Sequence, residues 1–117
     1  MKCVECGGDV RCPGMFDSGE VCRAMATVRF EWSDRTAFVC REHIPFCIRY
    51  IAYDNSYDRL GMGVAVRGDD GPFTLALIDK CRTWLDEHEP GWLDRTLDMG
   101  APSYAALLEY LNQEATR

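Results

Sequence analysis

The chain has 117 residues, a formal net charge of −6 and seven cysteines. Its length predicts about one domain, and its 47% apolar and 27% charged residues are typical of a folded globular protein rather than a disordered one. No apolar run approaches the roughly 20 residues of a membrane-spanning helix. The start of the chain, Met1 to Cys6, also lacks the apolar stretch of a secretion signal. We therefore expect a cytoplasmic protein that makes no membrane contact.

The cysteines indicate metal binding rather than disulfide bonding. An odd number of cysteines without a secretion signal argues against a disulfide framework. In a reducing compartment, cysteines usually serve either as metal ligands or as small buried apolar residues. We expect both uses here, by different cysteines.

The charge is divided unevenly along the chain. Residues 1–53 hold seven basic and seven acidic side chains, whereas residues 54–117 hold six basic and twelve acidic ones. Proteins that bind a phosphate backbone usually show the opposite bias, because Lys and Arg supply most of the non-specific affinity. The acidic half therefore favours a basic protein surface over a nucleic acid as its partner.

The first predicted element is a metal-binding knuckle at Cys3 and Cys6. Two thiolates separated by two residues can hold one tetrahedral ion where the backbone turns tightly. Gly7 and Gly8, which follow directly, permit such a turn.

A β-hairpin is predicted next. Apolar and polar residues alternate over residues 25–32, a turn is predicted over residues 33–36, and residues 37–39 return as a second strand. The inward face of the first strand consists of Val28, Phe30 and Trp32.

A second pair of ligand residues, Cys40 and His43, lies where the hairpin ends and a mostly buried helix begins. A thiolate at this position also gains from the helix N-terminus. Together with Cys3 and Cys6, this pair gives the three-cysteine, one-histidine set of a structural zinc site. The histidine favours zinc over an iron–sulfur cluster.

The arrangement resembles treble-clef and zinc-ribbon modules, in which a knuckle and a hairpin precede a helix that carries the last two ligands. The resemblance covers residues 3–53. Within them, Cys22-x3-Ala26-Thr27-Val28, the hairpin and Val39-Cys40-x2-His43 are similar to small zinc proteins common in actinobacteria and their phages. A phage-encoded inhibitor of a host or defence protein would suit that resemblance, the small size and the acidity.

The resemblance also suggests other sets of zinc ligands. In those proteins the cysteine four residues before the alanine is the second knuckle ligand, a position held here by Cys22, but the residue three before it is glycine instead of cysteine. Cys12 and Cys22 would then form an expanded knuckle that joins Cys40 and His43. A third arrangement uses Cys47, one helical turn further on, in a mixed or two-metal site.

After a polar stretch at residues 54–58, the pattern predicts a strand over residues 60–67. Its apolar face consists of Leu60, Met62, Val64 and Val66. The other face carries only small residues, Gly61, Gly63 and Ala65, which favours a close neighbour on that side.

Two helices complete the predicted elements. The first begins at Pro72 and ends before Pro90. Its inward stripe consists of Phe73, Leu77, Cys81, Trp84 and Leu85. The second begins after Ser103, a favourable N-cap residue. Its inward residues are Tyr104, Leu107, Leu108 and Leu111.

These elements predict an α+β fold, in which a zinc knuckle, hairpin and helix are extended by one strand and two C-terminal helices. We expect a single compact domain over residues 1–117. The zinc-binding module spans residues 1–53 and the acidic extension spans residues 54–117.

The predicted function is non-catalytic: a zinc-stabilised protein-interaction module whose acidic half contacts a protein partner. The acidic residues considered for that contact are Asp86, Glu87 and Asp94. The alternative is a nucleic-acid-binding zinc module. The arginines that would serve it are Arg23, Arg29, Arg35 and Arg41.

No catalytic site is expected. Cys81 lies on the apolar stripe of its helix and is predicted to be a core residue rather than a nucleophile. His88 lies in the last turn of the same helix, where an imidazolium interacts well with the helix C-terminus. A zinc hydrolase would need an open coordination position, and no residue in the sequence indicates one.

Overall fold

The computed structural model of the protein describes residues 26–33, 35–54, 60 and 63–116. These residues form a mixed α+β fold with a three-stranded antiparallel sheet and three α-helices. The strands are β1 (Val28–Trp32), β2 (Arg35–Val39) and β3 (Ala65–Arg67), and the helices are α1 (Ile44–Asp54), α2 (Gly71–His88) and α3 (Pro102–Ala115). The predicted knuckle at Cys3 and Cys6 lies outside the described residues, so it stays a prediction.

The predicted hairpin is confirmed, but β2 begins at Arg35, inside the turn predicted over residues 33–36. Strands β1 and β2 pair antiparallel, in a register that sets Val28 opposite Val39 and Trp32 opposite Arg35. Alternation along β1 buries Val28, Phe30 and Trp32, as predicted from the period of two. Strand β3 pairs with the other edge of β1, so that the sheet has the order β2-β1-β3.

Helix α1 follows β2 after a single 3₁₀ turn, Arg41–His43. Pro45 is the second residue of the α-helix, where the missing N–H has no intrahelical acceptor and therefore costs no hydrogen bond. Ile44, Ile48 and Ile51 are fully buried, which places one face of α1 in the core.

The described part of the third strand is shorter than the predicted one. Residues 65–67 form β3, and Leu60 is fully buried ahead of it. Among the described residues, the close neighbour expected beside the small residues is not found at Gly63, where an added β-carbon would meet nothing within 4 Å. Glycine instead suits the backbone at this position, where φ is +134°.

Helix α2 begins at Gly71, one residue before the predicted start. Its inward stripe is confirmed at Leu77, Cys81, Trp84 and Leu85, which are all buried, whereas Phe73, the first predicted member, is only partly buried against the core. Among the described residues, no helix has the length and apolarity needed to cross a membrane.

The predicted N-cap of the last helix is wrong. Helix α3 begins at Pro102 with Ala101 as its N-cap residue, so Ser103 lies inside the first turn. Proline is favoured at the first helical position because its φ angle is already helical and its missing N–H would have no acceptor there. Ser103 uses its hydroxyl for a contact between helices instead.

The helices and the sheet share one apolar core among the described residues. Helices α1 and α2 both pack on α3, and α2 also contacts β1 and β3. The largest fully buried apolar side chains are those of Phe30, Ile44, Ile48, Ile51, Leu60, Leu85, Leu107 and Leu111. This core fixes the junction between β2 and α1, where the candidate metal ligands lie.

Candidate metal centre

Cys40 and His43 come together at the turn between β2 and α1. Cys40 directly follows β2, with an extended backbone (φ −81°, ψ 169°), and it precedes the 3₁₀ turn. The backbone N–H of His43 donates to the carbonyl oxygen of Cys40 at 3.0 Å, and this bond closes the turn. The two side chains, three residues apart, therefore leave the backbone on the same side of the turn.

The geometry of this pair fits one metal ion. Cys40 Sγ lies 3.2 Å from His43 Nδ1, and both side chains are buried. Tetrahedral zinc, with about 2.3 Å to sulfur and about 2.0 Å to nitrogen, holds those two atoms roughly 3.5 Å apart. A change of a few tenths of an ångström would therefore let both atoms ligate the same ion.

The remaining predicted ligands lie outside the described residues. These are Cys3 and Cys6 of the preferred set and Cys12 and Cys22 of the alternative set. Within the described ranges, no group of three or more His, Cys, Asp or Glu side chains converges as a metal site. The structure thus brings together one half of the predicted set.

Cys47 lies close to this centre. It is buried, one helical turn beyond His43 on α1. Both side chains line a cavity of about 190 Å³. The other lining residues are Trp32, Ala37, Val39, Phe46 and Tyr50, so the pocket beside the candidate metal site is mainly apolar.

The described arginines around the hairpin already have partners within the protein. Arg29 lies 2.7 Å from a carboxylate oxygen of Glu31. Arg35 donates to the hydroxyl of Tyr50 at 2.7 Å, and Arg41 lies 3.1 Å from a carboxylate oxygen of Asp70. Binding of a phosphate backbone by these groups would have to compete with those contacts. Arg23, the fourth residue considered, lies outside the described residues.

The acidic residues considered for partner contact differ in their structural roles. Asp86, Glu87 and Asp94 are all exposed near the C-terminal end of α2. The carboxylate of Asp86 also accepts a hydrogen bond from the indole N–H of Trp92 at 2.8 Å. Because Trp92 is buried, Asp86 has a structural role that the other two lack in the described structure.

A polar contact that sequence reasoning missed joins the three helices. The hydroxyl of Ser103 donates to Glu89 at 2.5 Å, and the Tyr53 hydroxyl lies 2.9 Å from Ser103 Oγ. Because Ser103 has one proton and gives it to Glu89, Tyr53 is the donor in the second bond. Arg95 donates to the other carboxylate oxygen of Glu89. We name Tyr53, Ser103, Glu89 and Arg95 the interhelix clasp.

The clasp shifts two ionisation equilibria. Hydrogen bonding from Ser103, assisted by Arg95, lowers the pKa of Glu89 against the opposing effect of burial. Burial raises the pKa of Tyr53, with the Glu89 charge adding to the rise. At neutral pH, Glu89 is therefore a carboxylate and Tyr53 a neutral phenol, which is the combination that the hydrogen bonds require.

The two residues set aside as structural are placed as predicted. Cys81 is fully buried on the core face of α2, and burial raises the pKa of its thiol far above neutral. A thiol in that state is a poor nucleophile. His88 is the last residue of α2, with Nδ1 2.9 Å from the carbonyl oxygen of Trp84 and its ring stacked on the indole at 4.1 Å.

Comparisons of the chain with protein-family models, with curated proteins and with solved structures find no significant match.

Proposed function

We propose that this protein is a non-catalytic, zinc-stabilised interaction module whose acidic C-terminal half contacts a basic protein surface. The observation that carries the proposal is the buried Cys40–His43 pair, with sulfur and nitrogen 3.2 Å apart at the junction of β2 and α1. A phage-encoded inhibitor of a host or defence protein is the role we favour, on the resemblance of residues 3–53 to small zinc proteins of actinobacteria and their phages.

The metal would be held by Cys3, Cys6, Cys40 and His43. Zinc with four protein ligands supplies folding energy rather than catalysis, because no position is left for water or substrate. Burial of the pair supports a structural role, since structural zinc sites are closed and catalytic ones keep a position open to water or substrate. The ion would tie the N-terminal segment to the start of α1.

The negative charge of the C-terminal half supports a basic protein as the partner. Residues 54–117 carry twelve acidic and six basic side chains, an excess of six negative charges. Glu87 and Asp94 are exposed near the C-terminal end of α2. Such a surface attracts a basic partner and accelerates its diffusional encounter, most strongly at low salt.

Charge reversal tests this surface. The variant Glu87→Lys with Asp94→Lys leaves Asp86 in place, so Trp92 keeps its hydrogen bond. A matched control is Asp69→Lys with Asp79→Lys, which makes the same change in net charge at exposed positions before and in the first half of α2. Binding to a lysine-rich probe peptide is measured at low and high salt. We expect weaker binding for the first variant than for the control, with the difference reduced by salt.

The same titration examines the nucleic-acid alternative. Wild-type protein is mixed with random-sequence DNA and RNA at the same two salt concentrations. Tight binding that falls steeply with salt and is lost in Arg29→Ala with Arg35→Ala would replace the protein-partner proposal. Equal loss of peptide binding in both charge-reversal variants would instead show that binding depends on the net charge of the protein and not on a surface at Glu87 and Asp94.

A further inference from the structure

Arg49 is a buried cation in the middle of α1. Its residue is 9% exposed, although arginine is rarely buried unless an anion accompanies it. A charge removed from water without a partner is costly, so a buried guanidinium normally donates to a carboxylate or to carbonyl oxygens.

Two aromatic rings flank the guanidinium. Its central carbon lies 4.6 Å from the ring centroid of Phe46 and 4.1 Å from that of Tyr104. Phe46 precedes Arg49 by one turn of α1, and Tyr104 belongs to α3. The edge-to-face contact of Tyr104 with Tyr53, at 4.8 Å, holds the second ring in place. These rings compensate part of the lost hydration through cation–π attraction.

One hydrogen-bond donor of Arg49, its Nε, is unused within the described structure. Its Nε is enclosed and has no hydrogen-bond acceptor there. Every other Lys and Arg of the described residues has a carboxylate or hydroxyl partner. Arg49 therefore differs from the rest in being a buried cation with neither a carboxylate nor a hydroxyl partner among the described side chains.

We propose that Phe46, Arg49 and Tyr104 form a binding site for a carboxylate group of a ligand. Neither ring offers a hydrogen-bond acceptor to the guanidinium, so an anion would bind at its N–H groups, which lie in the guanidinium plane. A carboxylate is planar and matches that fork with two parallel hydrogen bonds. Phe46 is 48% exposed, so one ring of the proposed site lies at the surface beside the guanidinium.

A single carboxylate also suits the electrostatics better than a multiply charged phosphate. The chain has a net charge of −6, which opposes every additional negative charge on a ligand. One guanidinium neutralises one carboxylate, whereas a phosphate dianion would keep an excess charge near the acidic half. The proposed site uses none of the predicted zinc ligands and neither Glu87 nor Asp94, although Phe46 also lines the pocket beside His43.

The test uses the full-length protein loaded with zinc and the Arg49 side-chain Nε–Hε signal in nuclear magnetic resonance spectra. Acetate, inorganic phosphate and chloride are titrated separately at constant ionic strength. We expect a saturable shift of this signal with acetate, a smaller response to phosphate and only a linear drift with chloride. Saturation by phosphate without saturation by acetate would overturn the carboxylate assignment, and equal linear drift with all three would overturn the site.

Two variants test whether ligand binding depends on the charge of Arg49. In Arg49→Met, which keeps the apolar stem and removes the charge, the saturable acetate shifts of backbone amides in α1 and α3 should disappear. Arg82→Met is the matched control, because Arg82 is exposed on α2 and lies 3.7 Å from Asp79, a carboxylate that is itself exposed. Saturable shifts that persist in Arg49→Met would contradict the proposal. If Arg49→Met does not fold, the wild-type titration still decides it.

Discussion

The two main described regions, residues 26–54 and 63–116, differ in what stabilises their buried polar side chains: a proposed metal ion in the first and hydrogen bonds in the second. In the first region, the sulfur of Cys40 and the imidazole of His43 converge in a buried position, an arrangement that fits half of a metal site. In the second region, Ser103, Glu89 and Arg95 satisfy one another through hydrogen bonds within the described structure. Under our proposal, the first region depends on an ion for its stability and the second does not.

The largest expected effect follows Cys40→Ser. Structural zinc contributes about 10–16 kcal/mol in small zinc-binding peptides, which is comparable with the whole stability of a domain, about 5–15 kcal/mol. We therefore expect zinc and cooperative unfolding to be lost together, as measured by metal analysis and urea denaturation.

Cys81→Ser is the matched control for that variant. It makes the same chemical change at a fully buried cysteine on α2. A buried hydroxyl without a partner costs about 1–3 kcal/mol, so this protein should be less stable but keep its zinc. Equal zinc content in Cys40→Ser and Cys81→Ser would contradict the proposal that the first region depends on zinc and the second does not.

A smaller loss is expected for Leu107→Ala, which creates a cavity in the core beneath α3. Leu107 is fully buried, and truncation of such a residue costs about 2–5 kcal/mol. Urea unfolding measures the loss, and zinc content should not change. Leu75→Ala, at a position 51% exposed on α2, should shift the unfolding free energy by less than about 0.5 kcal/mol. A similar cost at both positions would contradict the described core.

The smallest effect concerns the interhelix clasp and depends on pH. Glu89→Gln keeps an oxygen for the Ser103 hydroxyl but removes the charge that faces Arg95. We expect a loss of about 1 kcal/mol in unfolding free energy at neutral pH. Asp79→Asn is the control, because the Asp79 side chain is 78% exposed and pairs with Arg82 at 3.7 Å, and its loss should cost less.

The pH dependence of that loss has a definite sign. The pKa of Glu89 is lowered in the folded protein, so its contribution is complete above the unfolded-state pKa of about 4.3. It disappears as the pH falls through the lower folded-state pKa. The difference in unfolding free energy between wild type and Glu89→Gln should therefore shrink from about pH 7 to about pH 3. A difference that stays constant or grows in acid would show that the carboxylate is not stabilised as described.

Local patterns predicted most of the described fold. The alternation of Val28, Phe30 and Trp32 identified β1, and the stripe through Leu77 and Cys81 identified the inner face of α2. Such patterns work because the core selects apolar residues at the period of each element. The start of α3 was misjudged because Ser103 suits an N-cap by residue type, whereas Pro102 suits the first helical position even better.

Contacts between distant residues could not be predicted in the same way. The spacing of Cys40 and His43 indicated their proximity, because a turn fixes residues three positions apart. Ser103 and Glu89 meet only because α2 and α3 pack side by side, and no sequence period encodes that packing. The burial of Arg49 between rings from α1 and α3 was missed for the same reason. The zinc itself and the ligands Cys3 and Cys6 stay predictions.

Native mass spectrometry of three proteins tests the central claim, a zinc site formed by Cys3, Cys6, Cys40 and His43, most directly. The proteins are the wild type, the double variant Cys3→Ser with Cys6→Ser, and the double variant Cys12→Ser with Cys22→Ser. We predict about one zinc ion per chain in the wild type and in the second double variant, and none in the first. The opposite pattern would select the expanded knuckle of Cys12 and Cys22, and loss in both would indicate a mixed or two-metal site. A wild-type protein that is fully folded without metal would contradict the account.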